Sequence, residues 1–298
     1  MEKNEFKQGV IYALCAYTLW GFAPLYFKYI DHIDPLEIIM HRIIWSFALL
    51  LLLVLAMGQW SVLKDILRRP KQLVVLAIAS VLVGSNWLIF IWAVNNDRML
   101  EASLGYFINP LLNVALGMLF LGERLPRLQL FAVAIAFFGV SIQVVLFGTI
   151  PWVSLALACS FGVYGLIKKK IKLKALTSLC IETAILTPPA IVYWFFLESE
   201  SASFVSNEWS LNLTLVSAGI VTTLPLLAFG AAATRLPYYV QGLFQYIGPS
   251  LMFILAIVVF NEELDQTKLI TFGFIWLALF VFVFDIWRKA RKKRFAAQ

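Results

Sequence analysis

Charge is what this chain has least of. Of its 298 residues only 14% are Asp, Glu, Lys or Arg, while 61% are hydrophobic. A soluble domain is about 25% charged. With so few charges, large apolar faces would meet water unless lipid is the solvent. Histidine is scarce too: His32 and His41 are the whole supply, too few and too scattered for a metal cluster. Cys15, Cys159 and Cys180 are odd in number and lie inside apolar runs. They read as small packing residues, not as a disulfide framework. No P-loop, GxSxG or HExxH occurs, so the residues point to no ATP-driven step, no enzyme chemistry and no cofactor. A signal-peptide cleavage site is also missing. The apolar run behind Lys3 and Lys7 continues through Trp20, Pro24 and Phe27, and reads as a first span that stays.

What is present is a series of apolar runs, each near the roughly 20 residues that a span needs. They predict an all-α integral membrane protein with ten helices, over 8–30, 36–57, 73–94, 100–121, 128–147, 151–167, 175–197, 213–235, 239–260 and 269–287. Connectors are short, the longest being 58–71 and 198–212. With the N-terminus in the cytoplasm, every basic residue falls on the cytoplasmic side except Lys28, Arg42, Arg98 and Lys268. Asp31, Asp34, Glu198, Glu200, Glu208, Glu262, Glu263 and Asp265 fall on the other side. Positive-inside asymmetry of this kind predicts ten spans with both termini cytoplasmic. The net charge of +7 then reflects topology and anionic lipid, and nucleic acid is not expected as a partner.

The stretch LEASLGYFINPLLNVALGMLFLGERLP at 100–126 has a relative at 242–265, GLFQYIGPSLMFILAIVVFNEELD. An offset of 139 lays Pro110 over Pro249, Glu123 over Glu262, Phe90 over Phe229 and Ala93 over Ala232. Slightly longer offsets lay Trp20-Gly21 over Tyr164-Gly165 and His41 over Glu182. Five spans per half is odd, so the halves, 1–147 and 148–298, would enter the membrane in opposite directions. Inverted repeats of this kind recur in secondary transporters, with the solute path between the halves.

Polar groups inside the spans are the candidate pathway. Tyr17, Trp20, Gly21, Pro24 and Lys28 share one helical face. They suit either a gated aromatic cavity or a packing face with Lys28 snorkelling outward. Arg42, with His41 beside it, lies about two turns into its helix and needs a partner or water; Glu101 and Asp97 are the candidates. A buried ion pair and a cationic lining for an anionic or zwitterionic solute are compatible readings. Asn86 and Trp87, then Tyr106, Asn109 and Asn113, would line the middle or pair between helices. Gln241, Gln245 and Tyr246 beside Pro249 are their counterparts, with Thr222, Thr223 and Pro225 on the preceding helix. Glu182 lies about two turns from the cytoplasmic end with no lysine or arginine expected at its depth. Desolvation makes it, with His41, a candidate for proton coupling. The run of lysines at 168–174 reads as a cytoplasmic anchor.

WGFAPLYFK at 20–28, HRIIWS at 41–46, NWLIFIWAVNN at 86–96, LEASLGYFINPL at 100–111 and FLGERL at 120–125 resemble the RarD family of EamA-type drug/metabolite transporters. GIVTTLPLLAFGAAATRL at 219–236 and FQYIGPSLMFILA at 244–256 extend the resemblance over nearly the whole chain. It implies ten helices in two inverted five-helix repeats and a bacterial inner membrane. The family carries a chloramphenicol-sensitivity label, and its superfamily moves amino acids, metabolites, nucleotide sugars or drugs, so fold does not fix cargo. The expected function is therefore a secondary transporter, an exporter of a small polar or amphipathic solute by alternating access, with proton coupling as an option. The expected partners are that solute and membrane lipid, and the expected state is a monomer or weak homodimer. A sensor or membrane-embedded enzyme, or an importer of the same solutes, is the alternative.

Overall fold

The computed structural model describes the chain except 1–2, 96–98, 148–150, 198, 200, 202, 260–265 and 296–298; the side chains of some further helical residues, Glu101 among them, also lie outside the described set. Every backbone N–H and C=O in lipid must be paired within its own segment or in a closed sheet. Long apolar runs without strand alternation therefore become helices, and the described residues hold helices and no strand. In order these are α1 (Lys3–Tyr29), α2 (Pro35–Ala56), α3 (Trp60–Leu67), α4 (Pro70–Asn95), α5 (Met99–Leu121), α6 (Arg127–Phe147), α7 (Trp152–Ile171), α8 (Ala175–Phe195), α9 (Trp209–Arg235), α10 (Tyr238–Phe244), α11 (Ile247–Val258) and α12 (Gln266–Phe295).

Seven of them, α1, α2, α4, α5, α6, α8 and α9, are long and apolar enough to cross a membrane. The expected ten differ for local reasons. Three lysines occupy the end of α7, and the apolar part of α12 spans only Leu269–Asp285. The helix expected over 239–260 is divided into α10 and α11 at Gln245 and Tyr246. Pro249 accounts for the division: it has no N–H, and its ring would collide with the carbonyl four residues earlier, that of Gln245. Pro110, its counterpart by offset, sits inside an unbroken α5. The connector expected over 58–71 contains a further helix, α3, which buries Leu63 and Ile66 and lays Lys64 over the Trp60 ring at 5.6 Å. That is the pattern of a helix lying in the interface.

The helices close into a ring. α1 packs on α9, α9 on α2, α2 on α8, α8 on α4, α4 on α7, α7 on α5, α5 on α10, and α11 returns to α1. α6 and α12 pack together outside the ring, with α6 touching α5. Small residues permit the closest approaches. A Cβ on Gly219 would stand 2.6 Å from the carbonyl carbon of Trp45, so α9 and α2 approach backbone to backbone there, and Ser46 Oγ donates to Gly219 O at 3.3 Å. The interior of the ring is aromatic. Tyr17 and Trp20 of α1 meet Phe161 and Tyr164 of α7 and Phe229 of α9, with Tyr164 stacked on Phe229 at 6.0 Å.

Candidate solute site

Arg42 is half-buried on α2 and turned into the ring. Its guanidinium lies over Trp87 of α4 at 4.8 Å and over Phe27 of α1 at 5.3 Å, and its Nε donates to Thr222 Oγ1 of α9 at 2.9 Å. Four helices thus converge on one cation. Aromatic faces offset part of the desolvation of a guanidinium without neutralising it, each contact contributing about 0.5–2 kcal/mol. Tyr106 of α5 stands near the guanidinium and packs edge-on against Phe90 at 5.9 Å. Tyr26, also near it, donates its hydroxyl to Thr214 O at 2.8 Å. The expected pairing of Arg42 with Glu101 or Asp97 lies outside the described residues.

The candidate amides of the middle are engaged in joining helices. Asn86 donates to Leu157 O and Ser160 Oγ, both at 2.9 Å, and Asn109 donates to Ala158 O at 2.7 Å, so both fasten onto α7. Asn113 donates to Asn109 Oδ1 and to Gln245 Oε1, and accepts from the Tyr238 hydroxyl at 2.8 Å. Tyr238 OH also lies 2.6 Å from Gly162 O, and Tyr246 OH donates to Phe107 O at 3.2 Å. Gln245 sits at the break between α10 and α11, where its side-chain carbonyl receives Asn113. Tyr17, Trp20 and Tyr164 belong to the aromatic interior. Lys28, exposed at the end of α1, pairs with Asp31 at 2.8 Å.

Glu182 requires a correction. No cation was expected at its depth, yet Lys168 Nζ lies 2.6 Å from Glu182 Oε1, with the side chains 4% and 1% exposed. α7 runs to Ile171, four residues beyond the expected 167, and so carries Lys168 inward on the face of Tyr164, one turn before it. Lys168 also donates to Ser178 Oγ at 2.7 Å, and Tyr164 OH donates to Glu182 Oε2 at 3.1 Å. Lys168 is thus a buried partner, not part of a cytoplasmic anchor. The i, i+4 spacing of Tyr164 and Lys168 was the available signal. His41 is buried on α2, beside Glu37, Trp45 and Trp194.

Glu123, laid over Glu262 by the repeat, has a specific contact in the structure. Gly122 takes φ +64°, a conformation glycine adopts without strain, and Glu123 N returns to Gly117 O at 3.1 Å. The turn aims the Glu123 carboxylate at α10, where Oε1 accepts from Tyr238 N at 2.7 Å and Oε2 from Tyr239 N at 2.9 Å. A carboxylate there satisfies orphan amides and meets the positive end of the helix dipole. Its counterpart by offset, Glu262, lies outside the described residues.

The comparisons agree with this architecture. The EamA-like transporter family model matches residues 7–145. Protein RarD of Escherichia coli is 52% identical over 286 residues, 96% of this chain and 97% of that one. A Vibrio cholerae protein named as an uncharacterized transporter is 51% identical over 285 residues, 95% of this chain and 94% of that one. A Pseudomonas aeruginosa protein named chloramphenicol-sensitive protein RarD is 33% identical over 292 residues, 96% of this chain and 97% of that one. A crystal structure at 20% identity superposes with a TM-score of 0.71 over 94% of this chain and 98% of its own, and shares the fold. An interior cation in an aromatic ring of helices, relatives named as transporters and identity running from end to end lead to one assignment: the chain belongs to the RarD family of EamA-type transporters in the drug/metabolite transporter superfamily, multi-pass proteins of the bacterial inner membrane.

Proposed function

We propose that this protein is a secondary exporter of a small polar or amphipathic solute, an amino acid, metabolite or phenicol-like drug, and that Arg42 is the anchor of its binding site. The observation that carries this is the position of Arg42: a guanidinium turned into the helix ring, framed by Phe27 and Trp87 and oriented by Thr222. A flat cation between aromatic walls suits a solute with one anionic or strongly accepting end and an apolar body. Tyr106 stands beside the guanidinium, and Trp20 and Phe161 belong to the aromatic interior of the same ring. Chloramphenicol enters this reading only through the name of the Pseudomonas relative.

The transport cycle in this reading is alternating access between two inverted halves, 1–147 and 148–298, in a ten-span topology with both termini cytoplasmic. The reciprocal pattern of packing supports it: α1 on α9 is matched by α7 on α4, α2 on α9 by α8 on α4, and α5 on α7 by α11 on α1. The cytoplasmic end of the bundle, with Lys168, Glu182, Tyr238 and Glu123, is fastened by buried and part-buried hydrogen bonds within and between the two halves. Solute entering through it from the cytoplasm requires those contacts to part. Proton coupling at Glu182 then takes a specific form, since a proton on its carboxylate would release Lys168.

The test is flux in proteoliposomes loaded with labelled amino acids or phenicols, with and without a pH gradient. Saturable flux lost in Arg42→Ala is expected. A transporting Arg42→Ala variant with unchanged affinity would overturn Arg42 as the anchor. Absence of flux for every such solute would overturn the solute class, and pH-independent flux would remove the proton.

A further inference from the structure

Away from the Arg42 site, a basic corner lies where α3 turns into α4. α3 buries Leu63 and Ile66 and leaves Trp60, Lys64, Asp65 and Leu67 exposed. Trp60, Lys64 and Arg68, four residues apart, share one face of α3, turned away from the buried pair. Arg68 ends α3, Arg69 follows, and α4 opens with Pro70 and Lys71. Arg69 N returns to Ile66 O at 2.9 Å, while Gln72 N and Leu73 N both return to Arg69 O, at 2.9 and 3.1 Å. This tight turn gathers Lys64, Arg68, Arg69 and Lys71 at one exposed corner. Asp65 is the one acid between residues 60 and 74. The side chains of Arg68, Arg69 and Lys71 carry no hydrogen bond or ion pair among the described residues.

An apolar stripe runs on from these cations. Lys71, Val74, Ile78 and Val81 stand at i, i+3, i+7 and i+10 on one face of α4. The three apolar members are each half exposed or more. Ten residues of helix rise about 15 Å, half of the roughly 30 Å hydrocarbon core of a bilayer. An acyl chain of one leaflet therefore matches the stripe while its phosphate stands at the level of Lys71, Arg68 and Arg69. Arginine forks suit phosphate oxygens, which they can engage in pairs. Trp60, with Lys64 over its ring at 5.6 Å, is the kind of amphipathic aromatic that settles at headgroup level. The second half of the chain adds to the field. The start of α2 lies against the end of α8, where His41 meets Trp194 at 5.5 Å, so the end of α2 and the α3 that follows lie with the start of α8. Exposed Lys172 and Lys174 precede α8 there.

We propose that the α3–α4 corner binds one anionic phospholipid, its phosphodiester held by Arg68, Arg69 and Lys71 and an acyl chain laid along Val74, Ile78 and Val81. The stripe commits the site to a lipid. Free phosphate would meet the cations and leave the stripe unused, and a zwitterionic lipid would bring a cation of its own to a corner already rich in them. The site stands independently of any transported solute, so it is testable without one.

Native mass spectrometry of the full-length protein in neutral detergent, titrated with phosphatidylglycerol, counts the lipids bound. One phosphatidylglycerol is expected to bind well ahead of phosphatidylcholine. A cation at an anionic lipid surface contributes about fivefold in affinity, so Arg68→Gln with Arg69→Gln should weaken the first lipid about 25-fold. Arg68→Lys with Arg69→Lys should keep most of the affinity. Arg124→Gln with Arg127→Gln removes the same charge from the exposed turn between α5 and α6 and should leave the first lipid in place. Equal losses in the two glutamine pairs would overturn the proposal, since general attraction to positive charge would then account for the binding. Equal binding of phosphatidylcholine would overturn it too, as would displacement of the lipid by a large excess of glycerol phosphate. Melting of each variant in the same detergent identifies misfolding. If the Arg68→Gln, Arg69→Gln protein does not fold, Lys64→Gln with Lys71→Gln removes two charges from the same corner and should show the same loss.

Discussion

Lys168 and Glu182 meet at 2.6 Å in the interior, on helices separated by a three-residue turn. Each neutralises the other where lipid-facing neighbours cannot. Breaking such a pair by removing one partner costs about 3–5 kcal/mol, because a buried charge is left alone, while replacing both is far milder. Lys168→Met and Glu182→Gln should each lower the melting temperature strongly, and the double variant should recover much of the loss. Thermal melts in detergent read this directly, and additive losses would contradict the pairing.

Arg42→Lys tests whether the guanidinium matters for its shape or only for its charge. Lysine keeps the charge but loses the planar contact with Trp87 and the Nε bond to Thr222. Those contacts together correspond to about 2 kcal/mol. Solute affinity in Arg42→Lys should therefore fall on the order of tenfold or more, with Thr222→Val showing a smaller drop. Equal affinity in Arg42→Lys would leave charge alone as the determinant.

Glu123→Ala removes the acceptor for Tyr238 N and Tyr239 N. Loss of an N-terminal cap costs about 0.5–2 kcal/mol. A modest fall in melting temperature is expected, with Glu123→Gln losing less because it keeps one acceptor oxygen.

Pro249→Ala restores the missing N–H and relieves the clash with the Gln245 carbonyl. α10 and α11 should then run on as one helix. Stability should hold or rise while flux falls several-fold, since Gln245 would no longer present its side chain to Asn113 from a broken backbone.

At the surface, the Lys28 ammonium beside Asp31, by hydrogen bond and charge, holds that carboxyl below the usual carboxylate range. A carboxyl whose folded value is depressed contributes stability above the unfolded value, and that contribution is lost as pH falls through the folded value. Both groups are exposed, so the effect is small. Melting temperatures of the parent and Asp31→Asn should differ slightly near neutral pH and converge in acid; a gap that widens in acid would contradict it.

How far the sequence revealed this molecule depends on distance along the chain. Apolar runs mark the helices because burial in lipid is a property of each run alone. Pro249 is legible as a proline inside an apolar run, but that α10 and α11 separate while α5 stays whole around Pro110 depends on their neighbours. Lys168 was obscured by company: amid four more basic residues it looked like an interfacial anchor, and only the added turn of α7 carries it to Glu182. Nothing in the sequence sets Glu37 apart, because Ser201 lies 164 residues away. Asn86 and Asn109 suited lining and packing equally well in sequence, and the carbonyls of α7 engage their amides.

The long reach of these contacts has a consequence for how the protein is made. Arg42 waits for Thr222, 180 residues later; Asn113 waits for Gln245, 132 later; Glu123 waits for Tyr238, 115 later. While a ribosome is still producing the second half, the first half stands in the bilayer with a guanidinium, an amide and a carboxylate lacking those partners. The nascent half is therefore a client of whatever shields polar groups during insertion, and the second half completes it by arriving. A polypeptide ending after α6 should be cleared by membrane proteases, and co-expressing the missing half as a separate polypeptide should rescue it.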